Sequence, residues 1–236
     1  MHREACAART PRISSRVPAV LALRLVWVQR DTSDFFRNIG DERWKRLEDL
    51  RLENVWSGFK SVVWPPRLQR LVFGHGSTDS FPTMVWPPSL RELEFGMGSF
   101  YGRPFNLLLS LQQLSFSGNF NEPVVRVAWP ASLQRLSLGP HFKQPIAGVV
   151  WPSSLQQLWF GKYFNQPIAG VVWPASRDSC HLAGRSLSPS PESFGQLPCS
   201  SCRSGHIFKQ PIAGVVWPSS LQQLWFGKYF NQPIAG

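Results

Sequence analysis

Residues 151–170 read WPSSLQQLWFGKYFNQPIAG, and the same twenty residues return without a change at 217–236. Within the stretch, Leu158 and Phe160 alternate with Gln157 and Trp159, the two-residue period of a short strand with one buried face. Gly161 permits the turn that ends the strand, while Pro167 and Pro174 fix φ, withhold a donor and therefore belong at bends. Val171, Val172 and Trp173 form a second short β-prone run on the return side. A unit this small cannot bury its own apolar face. Equivalent strands of successive units must therefore stack in parallel, advancing about 4.8 Å per unit.

The rest of the sequence supplies those units. The first leucine of L-x-x-L-x-(L/F) falls at Leu47, Leu68, Leu90, Leu111, Leu133, Leu155 and Leu221, in steps of 21, 22, 21, 22, 22 and then 66 residues. The second column is Leu50, Leu71, Leu93, Leu114, Leu136, Leu158 and Leu224. The third is Leu52, Phe73, Phe95, Phe116, Leu138, Phe160 and Phe226. Four residues before the first leucine stands Trp64, Trp86, Trp129, Trp151 or Trp217, each followed by proline, with Leu107 replacing the tryptophan once and Trp173 marking a further slot. A stacked tryptophan buries about 150–250 Å², worth roughly 4–6 kcal/mol before entropy is subtracted. The tryptophan column therefore reads as core rather than as a ligand-stacking ladder.

L-x-x-L-x-F-G followed by F-N-Q-P-I, clearest at 164–168 and 230–234, resembles the FNIP repeat family, a relative of leucine-rich repeats. The resemblance covers roughly residues 47–176 and 207–236. It implies a mainly β, leucine-rich-repeat-like solenoid of about 22-residue units, with stacked short parallel strands and few helices. By analogy with the family it also implies a role in protein–protein interaction. Residues 100–110 depart from the pattern, because the Trp-Pro step is lost there.

Four segments follow: a basic leader and possible cap at 1–46, a repeat array at 47–176, a disrupted segment at 177–206 and a last, truncated repeat at 207–236. The leader carries Arg3, Arg9, Arg12, Arg16, Arg24 and Arg30 against Glu4 up to residue 30, an acid-poor composition that leaves organellar import open. Arg24 interrupts the apolar run from Val17 to Val28, which excludes a membrane span there. A cytoplasmic location is favoured. The chain stops at Gly236 in mid-repeat, so a truncated protein or gene model is expected.

The disrupted segment holds a tempting zinc site: Cys199-Ser-Ser-Cys202 with Cys180, His181 and His206. Trp173 and Trp217 are 44 residues apart, however, which is two whole repeats. Read two bases out of frame, Ser188 to Gly205 becomes P-I-A-G-V-V-W-P-A-S-L-Q-Q-L-S-F-G for permissible codons. The expectation is thus frame-shifted repeat DNA rather than a metal site, leaving Cys6 as the one cysteine outside that segment.

A formal charge of +11 invites a nucleic-acid reading, but the arginines are dense only before residue 50 and elsewhere the cations are single. No nucleic-acid partner is expected. No nucleophile elbow, phosphate loop, zinc-helix motif or dinucleotide fingerprint occurs. Glu92 and Glu94, two apart on one strand face, serve solubility better than acid–base chemistry. The chain reads as a non-enzymatic scaffold without cofactor or metal, binding a protein through the outward positions of its strands. Those candidates are Arg70, Glu92, Gln113, Arg135, Gln157 and Gln223 in one column, and Glu94, Trp159 and Trp225 in the next, where Val72 also falls. The alternatives are a glycan-binding module that uses the aromatics and glutamines, or a non-functional product of an expanding repeat family.

Overall fold

The structure is a computed structural model that describes residues 2–7, 22–27, 44–53, 62–74, 85–96, 110–116, 119–173, 179–181, 208–216 and 223–225. Two units divide the chain, Met1–Gln113 and Leu114–Gly236. In the N-terminal unit β1 (His2–Ala7), β2 (Ala22–Trp27), β3 (Asp49–Glu53), β4 (Arg70–Phe73) and β5 (Glu92–Phe95) lie side by side in chain order, all parallel. β6 (Gln113–Phe116) starts on the last residue of the N-terminal unit, and the C-terminal unit continues with β7 (Arg135–Ser137), β8 (Gln157–Trp159), β9 (Ser179–His181) and β10 (Gln223–Trp225), with β7 to β10 paired in parallel. Among the described residues there is no α-helix. Each unit is a parallel β-solenoid of the leucine-rich-repeat kind.

Register follows the apolar columns. Leu50 pairs with Leu71 and Leu71 with Leu93, while Leu52, Phe73 and Phe95 make the parallel row two residues on. Every member of the three leucine and phenylalanine columns whose side chain is described is buried. Strand β2 enters the same register, with Leu23 beside Leu50 and Arg24 beside Arg51.

The spaces between strands explain the rest of the repeat. Trp-Pro opens a turn closed by a bond from the leucine N–H to the proline carbonyl, as in Leu155 to Pro152 at 3.0 Å and Leu90 to Pro87 at 3.0 Å. The next two amides then share one carbonyl of the preceding rung: Gln156 and Gln157 both donate to Gln134. The serine before the leucine has a task too. Ser154 Oγ donates to the Leu133 carbonyl at 2.7 Å and Ser89 Oγ to that of Leu68 at 2.8 Å, satisfying main-chain acceptors one rung back.

In the C-terminal unit the F-N-Q-P element builds a second ladder. Phe120, Phe142, Phe164 and Phe208 stack at 6.0, 6.0 and 6.2 Å between centroids, within 11° of parallel. Asn121 Oδ1 accepts from the Lys143 amide at 2.7 Å, and Asn165 Oδ1 accepts from the Lys209 amide at 2.8 Å. The first of these bonds spans 22 residues and the second 44. Phe208 therefore completes the rung that β9 begins, and the ladder passes over one repeat length of sequence. Residues 182–207, which hold most of the expected frame-shifted segment, lie outside the described residues.

Ile-Ala-Gly-Val makes the return turn. Gly148, Gly170 and Gly214 all have φ between +74 and +79°, and the following valine amide closes each turn on the isoleucine carbonyl. A Cβ on Gly170 would meet nothing within 4 Å, so only backbone strain opposes a side chain there. Gly170→Ala is expected to cost about 1 kcal/mol, read as a small fall in the urea midpoint. A neutral result would mean that the turn relaxes out of the left-handed region. The β-prone run after the turn forms no strand. Val171 and Trp173 are buried and Val172 is 79% exposed, so the alternation holds without a hydrogen-bonded ladder.

Candidate functional site

Strand sides that face away from the leucines carry the candidate residues. In the N-terminal unit they form a connected polar ladder. Arg70 Nη1 donates to Asp49 Oδ2 at 2.9 Å, its Nε lies 3.3 Å from Glu92 Oε2, and Gln113 Nε2 donates to Glu92 Oε1 at 3.1 Å. Arg70 also reaches diagonally to Glu94, at 3.8 Å, while Arg51 Nε pairs with Glu53 at 2.6 Å. Each link between strands crosses one rung because parallel register places these positions side by side. The two-residue period assigns Val72 to the same outward side, yet it is 1% exposed, in register between Arg51 and Glu94 and beside the ion-paired layer.

Glu94 is held above the usual carboxylate range. Burial is the larger cause; Arg70 and Arg51 oppose it, and Glu53 and Glu92 reinforce it. The sign follows directly. A raised folded-state value means that ionising Glu94 costs the native state more than the unfolded chain, so its contribution worsens as pH climbs through the carboxylate range. Glu94→Gln is expected to raise the urea midpoint at pH 7, with the gain vanishing on acidification below the carboxylate range. An unchanged or lower midpoint at pH 7 would mean that the Arg70 attraction outweighs burial.

In the C-terminal unit Arg135 pairs in register with Gln157, and Ser137 with Trp159. Gln223 and Trp225 lie in β10, in register with Ser179 and His181 of β9; their side chains lie outside the described residues. The seven candidates with described side chains, Arg70, Glu92, Glu94, Gln113, Arg135, Gln157 and Trp159, are half-buried, and none stands free of its neighbours. Rungs this close shade one another. The structure thus brings the candidates together in two sets, Arg70 to Gln113 in one unit and Arg135 to Trp159 in the other.

Two surfaces escaped the sequence reading. The valine before five of the repeat tryptophans, Val63 and Val85 in one unit and Val150, Val172 and Val216 in the other, is exposed at 65–83%. The signal was present in the period, but the run of valines before the tryptophan reads only as β-prone, which does not say which residue faces solvent. Beside that column, Ala128, Trp129, Val150 and Trp151 line an open groove of about 240 Å³. The indole N–H groups of Trp129 and Trp151 are buried without a hydrogen-bond partner. The other missed surface is basic: Lys143 Nζ and Lys162 Nζ stand 5.6 and 5.2 Å from the Tyr163 ring centroid.

No group of three metal-ligating side chains occurs among the described residues, of which Cys180 and His181 are described by backbone alone and Cys199, Cys202 and His206 are not described. Nor is any helix among them long and apolar enough to cross a membrane.

Comparison with known proteins agrees with this architecture. Residues 120–163 match the family model described as FNIP repeat. Among solved structures, CroV588, described as a novel circular LRR protein, is similar to the chain at 28% identity and a TM-score of 0.57. The match covers 90% of this chain and 34% of that protein, so the chain spans about a third of its length. No curated protein matches the chain.

Proposed function

We propose, on the premise of FNIP repeats carried by a leucine-rich-repeat-like solenoid, that the outward strand faces bind a protein partner. The observation that supports this most is the pre-ordering of the candidate side chains. Parallel register lines them up, neighbours one rung away leave them half-buried, and in the N-terminal unit side-chain bonds tie Arg70, Glu92 and Gln113 together. Side chains ordered before binding lose less entropy when a partner arrives. In the C-terminal unit an arginine and a tryptophan, the residue types enriched at interface hot spots, stand on adjacent rungs as Arg135 and Trp159. FNIP and leucine-rich-repeat solenoids are not, in general, enzyme folds, and the reading assigns the chain no reaction.

Affinity capture with the wild-type chain and with Trp159→Ala and Arg135→Ala tests it. A protein retained by the wild type and lost from both variants, at unchanged thermal stability, supports the reading. Retention of a glycan that depends on Trp159 would replace it with the recognition-module alternative. Equal retention by all three chains would remove the strand face from consideration.

A further inference from the structure

The edge of the C-terminal unit that carries the F-K-Q-P and G-K-Y-F elements has an excess of cations with a definite arrangement. Lys143, Lys162 and Lys209 come from three successive rungs. Lys143 and Lys209 are exposed, and each is pinned by its backbone amide to an asparagine, Asn121 and Asn165 respectively, of the preceding rung. Lys162 and Lys143 both lie over the ring of Tyr163, and the exposed His141 imidazole sits 5.1 Å from the same ring, tilted by 38°. No carboxylate is paired with these lysines among the described residues, where Glu122 is the acid of the unit.

We propose that this lysine edge docks an acidic polypeptide segment. Two ammonium groups gathered on one tyrosine repel each other, and the negative face of the ring offsets that repulsion only in part. An incoming carboxylate removes it, so the free edge is poised for an anion. Its chemistry favours carboxylates over a nucleic acid. The three cations are compact lysine charges, with no arginine fork for bidentate phosphate binding. Tyr163 is already engaged by a histidine and two lysines, which leaves no open aromatic platform for a base. Gln144 and Gln210 each donate through Nε2 to an asparagine carbonyl one rung back, which orients the remaining amide hydrogen for a peptide carbonyl. The three lysines lie outside the strands that carry the candidate face, and neither reading depends on the other.

The full chain is titrated against a fluorescein-labelled peptide of ten glutamates, and fluorescence anisotropy is read at low and at physiological salt. Saturable binding that weakens with salt is expected, and the combined variant Lys143→Gln, Lys162→Gln and Lys209→Gln should lose roughly tenfold or more in affinity. Tyr163→Leu, which keeps every charge but frees the lysines, should lose affinity severalfold. Arg67→Gln, which removes an exposed cation of the N-terminal unit, should bind as the wild type does, and circular dichroism verifies that each variant is folded. Absence of binding by the wild type at low salt, or equal affinity for the triple variant, overturns the proposal. So does tighter binding of a ten-nucleotide thymidine oligomer than of the peptide, which would make the edge a nucleic-acid contact.

Discussion

Phe164→Ala is expected to destabilise the C-terminal unit by about 3–5 kcal/mol and to lower its melting temperature by roughly 10 °C. Phe164 is 1% exposed and touches aromatic rings on three sides: Phe142 at 6.0 Å, Phe160 at 4.3 Å and Phe208 at 6.2 Å. Truncation removes the ring and leaves a cavity between rungs whose spacing is set by main-chain bonds on either side, so collapse cannot fill it. Circular dichroism melts of the full chain provide the measurement. Repeat arrays lose stability rung by rung through their neighbours, so the effect should appear in the transition of this unit. The partner experiment is Phe208→Ala. If Phe208 completes the rung next to Phe164 as the structure places it, that variant also loses several kcal/mol. A loss below about 1 kcal/mol, typical of surface sites, would take Phe208 out of the ladder.

Gly161→Ala should cost about 3 kcal/mol although it adds a single methyl group. A Cβ at Gly161 would overlap the Gly139 carbonyl oxygen and the Pro140 Cα of the preceding rung. Both are backbone atoms, which cannot swing aside as a flexible side chain would. The rungs must part locally, straining the bonds from the Tyr163 amide to the Pro140 carbonyl at 3.1 Å and from the Leu138 amide to the Trp159 carbonyl at 3.0 Å. Gly170→Ala adds the same atom into open space and carries only the turn penalty, so the pair separates the two reasons for a glycine. Urea midpoints for both variants decide it. Equal small losses would show that neighbouring rungs stand further apart at Gly161 than the structure places them.

Those two glycines also show what a sequence pattern can and cannot say. Gly161 reads as the residue that lets a strand end in a turn, but it is not among the glycines with positive φ; its constraint is the approach of the preceding rung. Gly170 has the left-handed φ that a turn glycine is expected to have. A one-dimensional pattern marks both as glycine positions without separating conformation from proximity, because proximity depends on a chain segment about one repeat away. The same holds for Val72 and Val172. Each sits at a fixed place in the repeat, yet the first is buried beside an ion-paired layer and the second faces solvent, since neighbouring rungs and the return turn decide exposure.

The candidate site divides in the same way. Membership of a column was legible, because a strand period of two assigns Arg70, Glu92 and Gln113 to one line without any coordinates. The bonds that tie that line into a ladder were not, since they require strands in register. The lysine edge was less legible still: Lys143 and Lys162 occupy different places in the repeat and meet only at the Tyr163 ring.

Apolar columns at a 22-residue period already require stacked short parallel strands, because one repeat has an apolar face and nothing of its own to cover it. The three core columns follow from the sequence as well, and each member whose side chain is described is buried. Tertiary structure alone decided which segment follows which. A repeat period is blind to an integral number of repeats, so on paper the rung after Phe164 could be closed one repeat further along the chain or two. Only the stacking of Phe208 on Phe164, and the bond from the Lys209 amide to Asn165, show which stretch closes it.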